Sequence, residues 1–496
     1  MSTAYEILKP LLENNRMKKI LFVGAEVMPF AATGGLGDVM GSLPAAIKAK
    51  EKNNVDVRVV LPLYAAVKDE WRAQMKDEAV FTVDLAWRKI YCGVKSLVKD
   101  GVTYYFIDNE YYFKRGALYG FYDDGERYAY FCKAVLEMLI HLNFYPDVMH
   151  ANDWQSALSV VYLNTKYRYV EGLSDTKTVF TIHNIEYQGK YSFSILGDVF
   201  DMGPEYYALM RYDDCINLMK AAIECADKVS TVSERYAEEI KTPEYSHGLN
   251  HVLYRNAHKL TGILNGIDYA YYNPAKDDVL CKNYDRRNII NGKAENKMAL
   301  QREYGLPERA DVPMLAIISR LATHKGLDLV RAVAGNIVQN NDVQFVILGK
   351  GEAQYEEFFT YLERTYPDKV KTLLTYDRDL SKKIYAACDI FVMPSKSEPC
   401  GLSQMIASRY GAVPVVRETG GLADSIKGYW VDNGEIKGNG FTFANYNAYE
   451  LEDRINAALA LYADKPQYKK FVSKIMGTDF SWTVSAEKYM EMFNSL

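Results

Sequence analysis

No apolar run in the 496-residue chain approaches the ~18 residues of a membrane span. The opening stretch MSTAYEILKPLLENNRMKK places charge where a secretory signal needs an apolar core. Its seven cysteines (92, 132, 215, 225, 281, 388 and 400) contain no Cys-x-x-Cys pair, and their odd number excludes a complete disulfide framework. A reducing cytoplasm is the expected location. Positive charge is not in excess either: the formal net charge of -5 argues against nucleic acid or an anionic membrane as the main partner and favours a small or neutral ligand. Low-complexity segments and short-period repeats are missing, which excludes a solenoid.

What is present is an ordinary globular composition, 49% hydrophobic and 25% charged, over a length that suits two or three domains. From Lys18 onward, short β-branched runs alternate with helical stretches: KILFVGAE, DVRVVLPLY, DVMHAND, TVFTIHN and KVSTVS. This pattern predicts a parallel sheet with crossover helices. SLVKDGVTYYFID reads as a hairpin turning at Asp100-Gly101. A second series, LTGILNGID, PMLAIISRL, VQFVILGKG, TLLTYD, IFVMPS and VPVVRETGG, follows from about residue 260. The chain therefore reads as two α/β halves, hinged near LNGIDYAYYNP at Asn265-Gly266. TGGLGD at 33–38 returns as TGGLAD at 419–424, so each half offers a Thr-Gly-Gly turn after a strand, and one ligand gripped from both sides is expected.

Gly35-Leu36-Gly37 with Gly41 is one residue longer than the dinucleotide fingerprint, and VRVVLP lacks the acidic residue that would hold a ribose, so a nicotinamide cofactor is rejected. What is left is either a plain tight turn or an anion site built from backbone amides and a helix end. SRLATHKGLDL places Arg320 and Lys325 just after a strand, where a basic pair suits a diphosphate; a solvated helix start is the alternative. PSKSEPCGLSQM brings Glu398 to another strand end, as a carboxylate able to accept hydroxyls or face a developing positive carbon. Cys400 reads as a packed or backbone-contact residue. His183 in FTIHNIEYQG and Asp153 in MHANDWQSA end two further strands. Asp377-Arg378-Asp379 spells the metal-binding DxD of some sugar transferases, but it reads here as a surface turn, and no metal is assigned. The 40 tyrosines, densest in EYYFKRGALYGFYDDGERYAYF, offer faces for sugar stacking or for core packing.

With TGGLGDV, HANDW, FTIHNIEYQG, SRLATHKGLDL, SEPCGLSQM, ETGGLADS and DFSW in this order, the chain resembles bacterial glycogen synthases and plant starch synthases from about Lys18 onward. The resemblance implies the GT-B fold, an α/β architecture of two Rossmann-like domains across a deep cleft, with the last helix crossing back to the first domain. The expected segments are a helical lead (1–16), an acceptor-side domain (17–258), a nucleotide-sugar domain (259–478) and the returning segment (479–496). The implied reaction is retaining transfer of glucose from ADP-glucose to the non-reducing 4-hydroxyl of an α-1,4-glucan, with no cofactor and no metal.

By matching motifs, Arg320 and Lys325 would neutralise the diphosphate, and Thr419, Gly420 and Gly421 would cradle it with Gly34 and Gly35. Asp38, Cys400, Gly401 and Leu402 would complete the donor side, with Asn265 assisting and Tyr376 beside the adenine. Glu398 would support the oxocarbenium-like transition state. His183 and Asp153 would hold glucose and acceptor, with Tyr119 and Asn184 on the sugar. One departure removes charge: the family's Lys-Thr-Gly-Gly reads Ala32-Thr33-Gly34-Gly35. Asn152 and Gln155 replace a more histidine-rich family pattern. Ala32 keeps two other readings open, a catalytically weak glucan-binding paralogue and a GT-B transferase with UDP-glucose or a small acceptor. A pyridoxal-dependent phosphorylase shares the architecture but not these motifs.

Overall fold

KKILFV at Lys18–Val23 forms β1, whose inner residues are buried on both faces, which is why it reads as continuous hydrophobicity. The computed structural model describes residues 16–496; the lead expected over 1–16 lies outside them, Arg16 apart. Two compact units divide the chain. The first takes the chain up to Val232, Ala237–Ile263 and Trp482–Leu496, and the second takes Ser233–Tyr236 and Leu264–Ser481.

In the first unit, β1 is joined by β2 (Val55–Pro62), β3 (Lys76–Leu85), β4 (Arg88–Lys99), β5 (Val102–Asp108), β6 (Val148–Asn152) and β7 (Lys177–Ile182). A small antiparallel sheet of β8 (Lys190–Tyr191), β9 (Arg211–Tyr212) and β10 (Cys215–Asn217) follows, then β11 (Lys228–Thr231) and β12 (Leu260–Gly262). The main sheet has nine strands in the order β12-β11-β7-β6-β1-β2-β5-β4-β3. It is parallel except where β4 runs against β5 and β3. The expected hairpin is present, with Asp100 and Gly101 both at positive φ (52° and 75°), as a two-residue turn of this hand requires. From Val80 to Leu85, edge strand β3 alternates exposed and buried residues, as expected of a strand with one solvated face.

LTG at 260–262 was expected to open the second series. It instead pairs in parallel with β11, Val229 opposite Leu260, and so completes the first sheet. The helix Trp482–Asn494 also belongs to this unit, packing on the helix Gly35–Glu51 and bringing Phe493 within 5.6 Å of the His150 ring and 6.2 Å of the Phe22 ring.

The second unit carries β13 (Met314–Ile318), β14 (Gln344–Leu348), β15 (Val370–Leu373), β16 (Ile390–Met393) and β17 (Val413–Arg417). A two-stranded hairpin of β18 (Trp430–Asp432) and β19 (Glu435–Lys437) precedes β20 (Phe441–Phe443). The all-parallel order is β15-β14-β13-β16-β17-β20. Both main sheets reverse direction of travel beside their first strand, at β1/β6 and at β13/β16. In an open α/β sheet, the carboxyl ends of such a strand pair form the crevice that takes ligands. Asp153 follows β6, Arg320 and Lys325 follow β13, and Glu398 follows β16.

Candidate functional site

In the first unit, the loop between β1 and the helix Gly35–Glu51 wraps around Glu26, a carboxylate only 4% exposed. Its Oε2 accepts from the backbone amides of Thr33 (2.5 Å) and Gly34 (3.0 Å), and its Oε1 accepts from Thr33 Oγ1 (2.9 Å) and the Tyr119 hydroxyl (2.9 Å). Thr33 Oγ1 and the Tyr119 hydroxyl also touch each other. Burial pushes the Tyr119 hydroxyl up to about 12. The Gly34 amide, expected to cradle a phosphate, is thus turned onto an internal anion. Gly35, the first helical residue, is exposed, with open space where a Cβ would stand. Ala32 is half-buried and Asp38 sits half-buried in the helix's first turn.

Asp153 follows β6 in a left-handed conformation (φ 57°), uncommon and costly for a residue with a side chain. Its Oδ1 accepts from the amides of His183 (2.7 Å) and Asn184 (3.4 Å), tying the ends of β6 and β7 together. Burial pushes its carboxyl up to about 7, against the pull of those two amides and with a further push from the charge of Glu26. His183 donates from Nε2 to Asn152 Oδ1 at 2.9 Å, while Asn152 Nδ2 is committed to the carbonyls of Val23 and His150. Burial drives the His183 imidazole down to about 3. His183 is therefore a neutral hydrogen-bonding group at physiological pH, not a cation or proton donor. Asn184 accepts from the Glu186 amide at 2.9 Å, a local turn contact.

In the second unit, Lys325 closes the turn after β13, and Glu398 stands in the loop after β16. Lys325 Nζ lies 2.7 Å from Glu398 Oε2, which also accepts from Ser395 Oγ at 3.1 Å. Glu398 is 7% exposed, so the pair is largely removed from water. Gly326, at φ 73°, lets the turn approach β16 so closely that a Cβ there would meet Pro394 O at 2.1 Å. Arg320 is exposed beside this turn.

The Thr419-Gly420-Gly421 turn after β17 rests on the same loop. The Gly421 amide donates to Glu398 O (3.1 Å) and Pro399 O (3.2 Å), and a Cβ on Gly420 or Gly421 would fall 2.0 or 2.1 Å from the carbonyls of Glu398 and Cys400. These glycines permit close loop packing, and the Gly421 amide is spent on it. Burial pushes the Cys400 thiol up to about 12, so it is no nucleophile, and Asn265 lies against it. Asn265 Oδ1 is buried with no hydrogen-bond partner among the described residues. Gly401 (φ 71°) and Leu402 lead into the helix Ser403–Arg409.

The structure does not gather Tyr376 with this group. It is 78% exposed near the end of edge strand β15, with β14 standing between it and the Lys325 turn, and its hydroxyl accepts from Arg378 Nε at 3.2 Å. Asp377 of the DxD is a helix N-cap, its Oδ1 taken by the amides of Asp379 (2.9 Å) and Leu380 (3.0 Å). Among the described residues no cluster of three or more His, Cys, Asp or Glu residues is placed to hold a metal. Sequence reasoning missed Glu26 and Ser395. Glu26 had one available signal, a carboxylate closing the apolar run of β1 at a strand's carboxyl end.

Comparison with known proteins matches residues 19–255 to a family model described as the starch synthase catalytic domain, and residues 302–474 to one described as glycosyl transferases group 1. The chain is 47% identical over 480 residues to a glycogen synthase of Ligilactobacillus salivarius, covering 96% of this chain and 100% of that protein. It is 46% identical over 481 residues to a glycogen synthase of Clostridium botulinum, covering 96% and 99%. Among solved structures, the catalytic domain of starch synthase IV from Arabidopsis thaliana, bound to ADP and acarbose, superposes with a TM-score of 0.86 at 34% identity over 97% of this chain and 99% of that one. A sucrose-phosphate synthase from Thermosynechococcus elongatus (TM-score 0.59, 17% identity, 96% and 98% covered) shares the fold.

Proposed function

Since the chain belongs to the family of bacterial glycogen synthases and plant starch synthases, and is a GT-B hexosyltransferase, we propose that it transfers glucose from ADP-glucose to the non-reducing end of an α-1,4-glucan in the cytoplasm, with retention and without a metal or cofactor. The observation that carries this reading is the pair of half-buried Lys325 and buried Glu398 at the second unit's strand crossover. The pair holds opposite charges ready for opposite ends of one bond cleavage. Lys325, with Arg320, receives the negative charge that grows on the departing diphosphate. Glu398, oriented by Ser395, faces the positive charge that grows on the anomeric carbon. The bond from that carbon to the diphosphate oxygen breaks, the bond to the glucan 4-oxygen forms, and the hydroxyl proton leaves with the nucleotide or to solvent.

On the first unit, Gly35 and the helix end offer amides to an anion. Asp153, His183, Asn184 and Tyr119 supply acceptors and donors for sugar hydroxyls, with His183 acting as a neutral imidazole. Asn265, Cys400, Gly401, Leu402 and Thr419 line the donor side of the second unit. Adenine recognition by Tyr376 has no structural support beyond its sequence position. ADP as the nucleotide is supported by the ADP held in the Arabidopsis structure.

A second reading has one observation in its favour: with Ala32 in the first loop, and the Thr33 and Gly34 amides bound to Glu26, that loop carries no side-chain cation of its own for a donor. The paralogue that binds glucan without turnover is therefore one outcome of the test. ADP-glucose or UDP-glucose is offered with maltooligosaccharide, and nucleotide release and chain length are followed for the native protein and Glu398→Gln. Elongation by the native protein from ADP-glucose, lost in Glu398→Gln, is expected. Glucan binding without nucleotide release from either donor would replace this reading with the paralogue.

A further inference from the structure

We propose that Glu26 is a positioning residue for the reaction: its carboxylate decides which amides of the Thr33–Leu36 loop face an anionic ligand, and it orients the Tyr119 hydroxyl. The proposal rests on the glucosyltransferase reading above.

An ionised carboxylate this deeply buried costs several kcal/mol unless its lone pairs are satisfied. Among the described residues Glu26 forms no ion pair; its four contacts are all neutral donors, two backbone amides and two hydroxyls. A carboxylate is acceptor-only, so each contact has a fixed polarity. The Thr33 and Gly34 amides must point inward, and the Tyr119 hydroxyl is held in place by Oε1 and by Thr33 Oγ1. The amides of Gly35 and Leu36, which open the helix Gly35–Glu51 and have no helical acceptor, are the ones left for an anion. Apart from the adjoining backbone, no atom lies within 4 Å of a Cβ built on Gly34 or Gly35, so the outer side of the loop is clear for approach. Glu26 thus supplies in the fold the fixed loop shape that a bound ligand would otherwise have to impose, and it does so without touching the ligand.

The test compares native protein, Glu26→Gln, Tyr119→Phe and the double variant for donor KM and kcat with maltooligosaccharide, together with amide hydrogen exchange at residues 33–37. Glutamine places an NH2 group against donors. Donor KM is expected to rise about 10-fold or more, the equivalent of a lost charge-assisted hydrogen bond, with a smaller fall in kcat. Exchange at Thr33 and Gly34 should accelerate. Tyr119→Phe should raise donor KM by itself yet add little in the Glu26→Gln background, because its effect passes through the same carboxylate.

Native donor KM and kcat in Glu26→Gln, or a loss that only follows the fraction of folded protein, would overturn the proposal. Should Glu26→Gln not fold, Tyr119→Phe and Thr33→Val carry the test, each with an expected rise in donor KM, and unchanged kinetics in both overturns it. A native protein that releases no nucleotide overturns the functional reading instead. Glu26 is then judged on exchange alone, and unchanged protection at Thr33 and Gly34 in Glu26→Gln or, if that does not fold, in Thr33→Val and Tyr119→Phe counts against it.

Discussion

Removing Lys325 would leave Glu398 as a buried carboxylate held, among the described residues, only by Ser395 Oγ. Lys325→Met is therefore expected to lower kcat/KM for the donor by at least the ~10- to 150-fold that one charge-assisted hydrogen bond is worth. Lys325→Arg should restore it only in part, since a planar fork does not replace a compact ammonium at a site shaped by Gly326. Steady-state kinetics decides both. In the other direction, Ala32→Lys should lower donor KM by up to a similar factor, and an unchanged value would mean that the first loop needs no charge. Two buried imidazoles should weaken the fold in acid. His150 and His183 are held near 3 in the fold by burial, against 6.5 when free, so between those values the unfolded chain binds more protons. Stability should rise with pH across that window and be lost on acidification through it. Asp153 acts oppositely: pushed up to about 7, it holds its proton in the fold above its free value of 3.8, so its own contribution declines as pH climbs towards 7. Denaturant unfolding at pH 7, 5.5 and 4.5 should show a falling free energy that flattens in His150→Asn.

The two Thr-Gly-Gly turns look like one device in the sequence and are two in the structure. Gly35 has open space around it, so Gly35→Ala at the first helical position should leave stability unchanged or raise it by up to ~1 kcal/mol while weakening donor binding. Gly421→Ala must drive a methyl into the backbone of Cys400, and a loss of about 1–3 kcal/mol or more is expected, together with loss of activity as the Glu398 loop shifts. Thermal unfolding beside donor KM separates the two. The alternation of strands and helices was legible because buried parallel strands announce themselves as apolar runs, and the Asp100-Gly101 hairpin because its turn demands particular residues. The difference between the glycine turns was not, since it depends on which loop lies beneath each. Glu26 was harder to see for a related reason: four hydrogen bonds converge on it from residues 7 to 93 positions away, and its place after the apolar run of β1 marks the carboxylate but not its partners. Lys325 and Glu398 were each marked by their motifs, but their ion pair spans 73 positions and only folding reveals it.

For the molecule as a whole, the division of the chain matters more than the count of elements. The helix Trp482–Asn494 buries Tyr489 and Phe493 against the first unit, with His150 and Phe22 beneath them. A chain truncated after Ser481 should lose stability in the first unit specifically. Limited proteolysis is expected to cut within residues 16–232 before it cuts within 264–481, and equal resistance of both would count against this. Lys293 anchors the second unit. It is buried among the carbonyls of Tyr385, Ala386 and Tyr410, and burial draws its ammonium down to about 8. Lys293→Met should strand those carbonyls and cost roughly 1–3 kcal/mol, read by denaturant unfolding.

The same division has a consequence for how the protein is made. Apart from Ser233–Tyr236, a ribosome releases the strands from Lys18 to Gly262 before any of the second unit, yet the first unit's helical layer lacks Trp482–Leu496 until the whole of the second has emerged. Throughout that interval the nascent chain carries an uncovered apolar strip around Phe22 and His150. The first unit to be synthesised is thus the last to be finished, and a chaperone that shields such surfaces would find its target there.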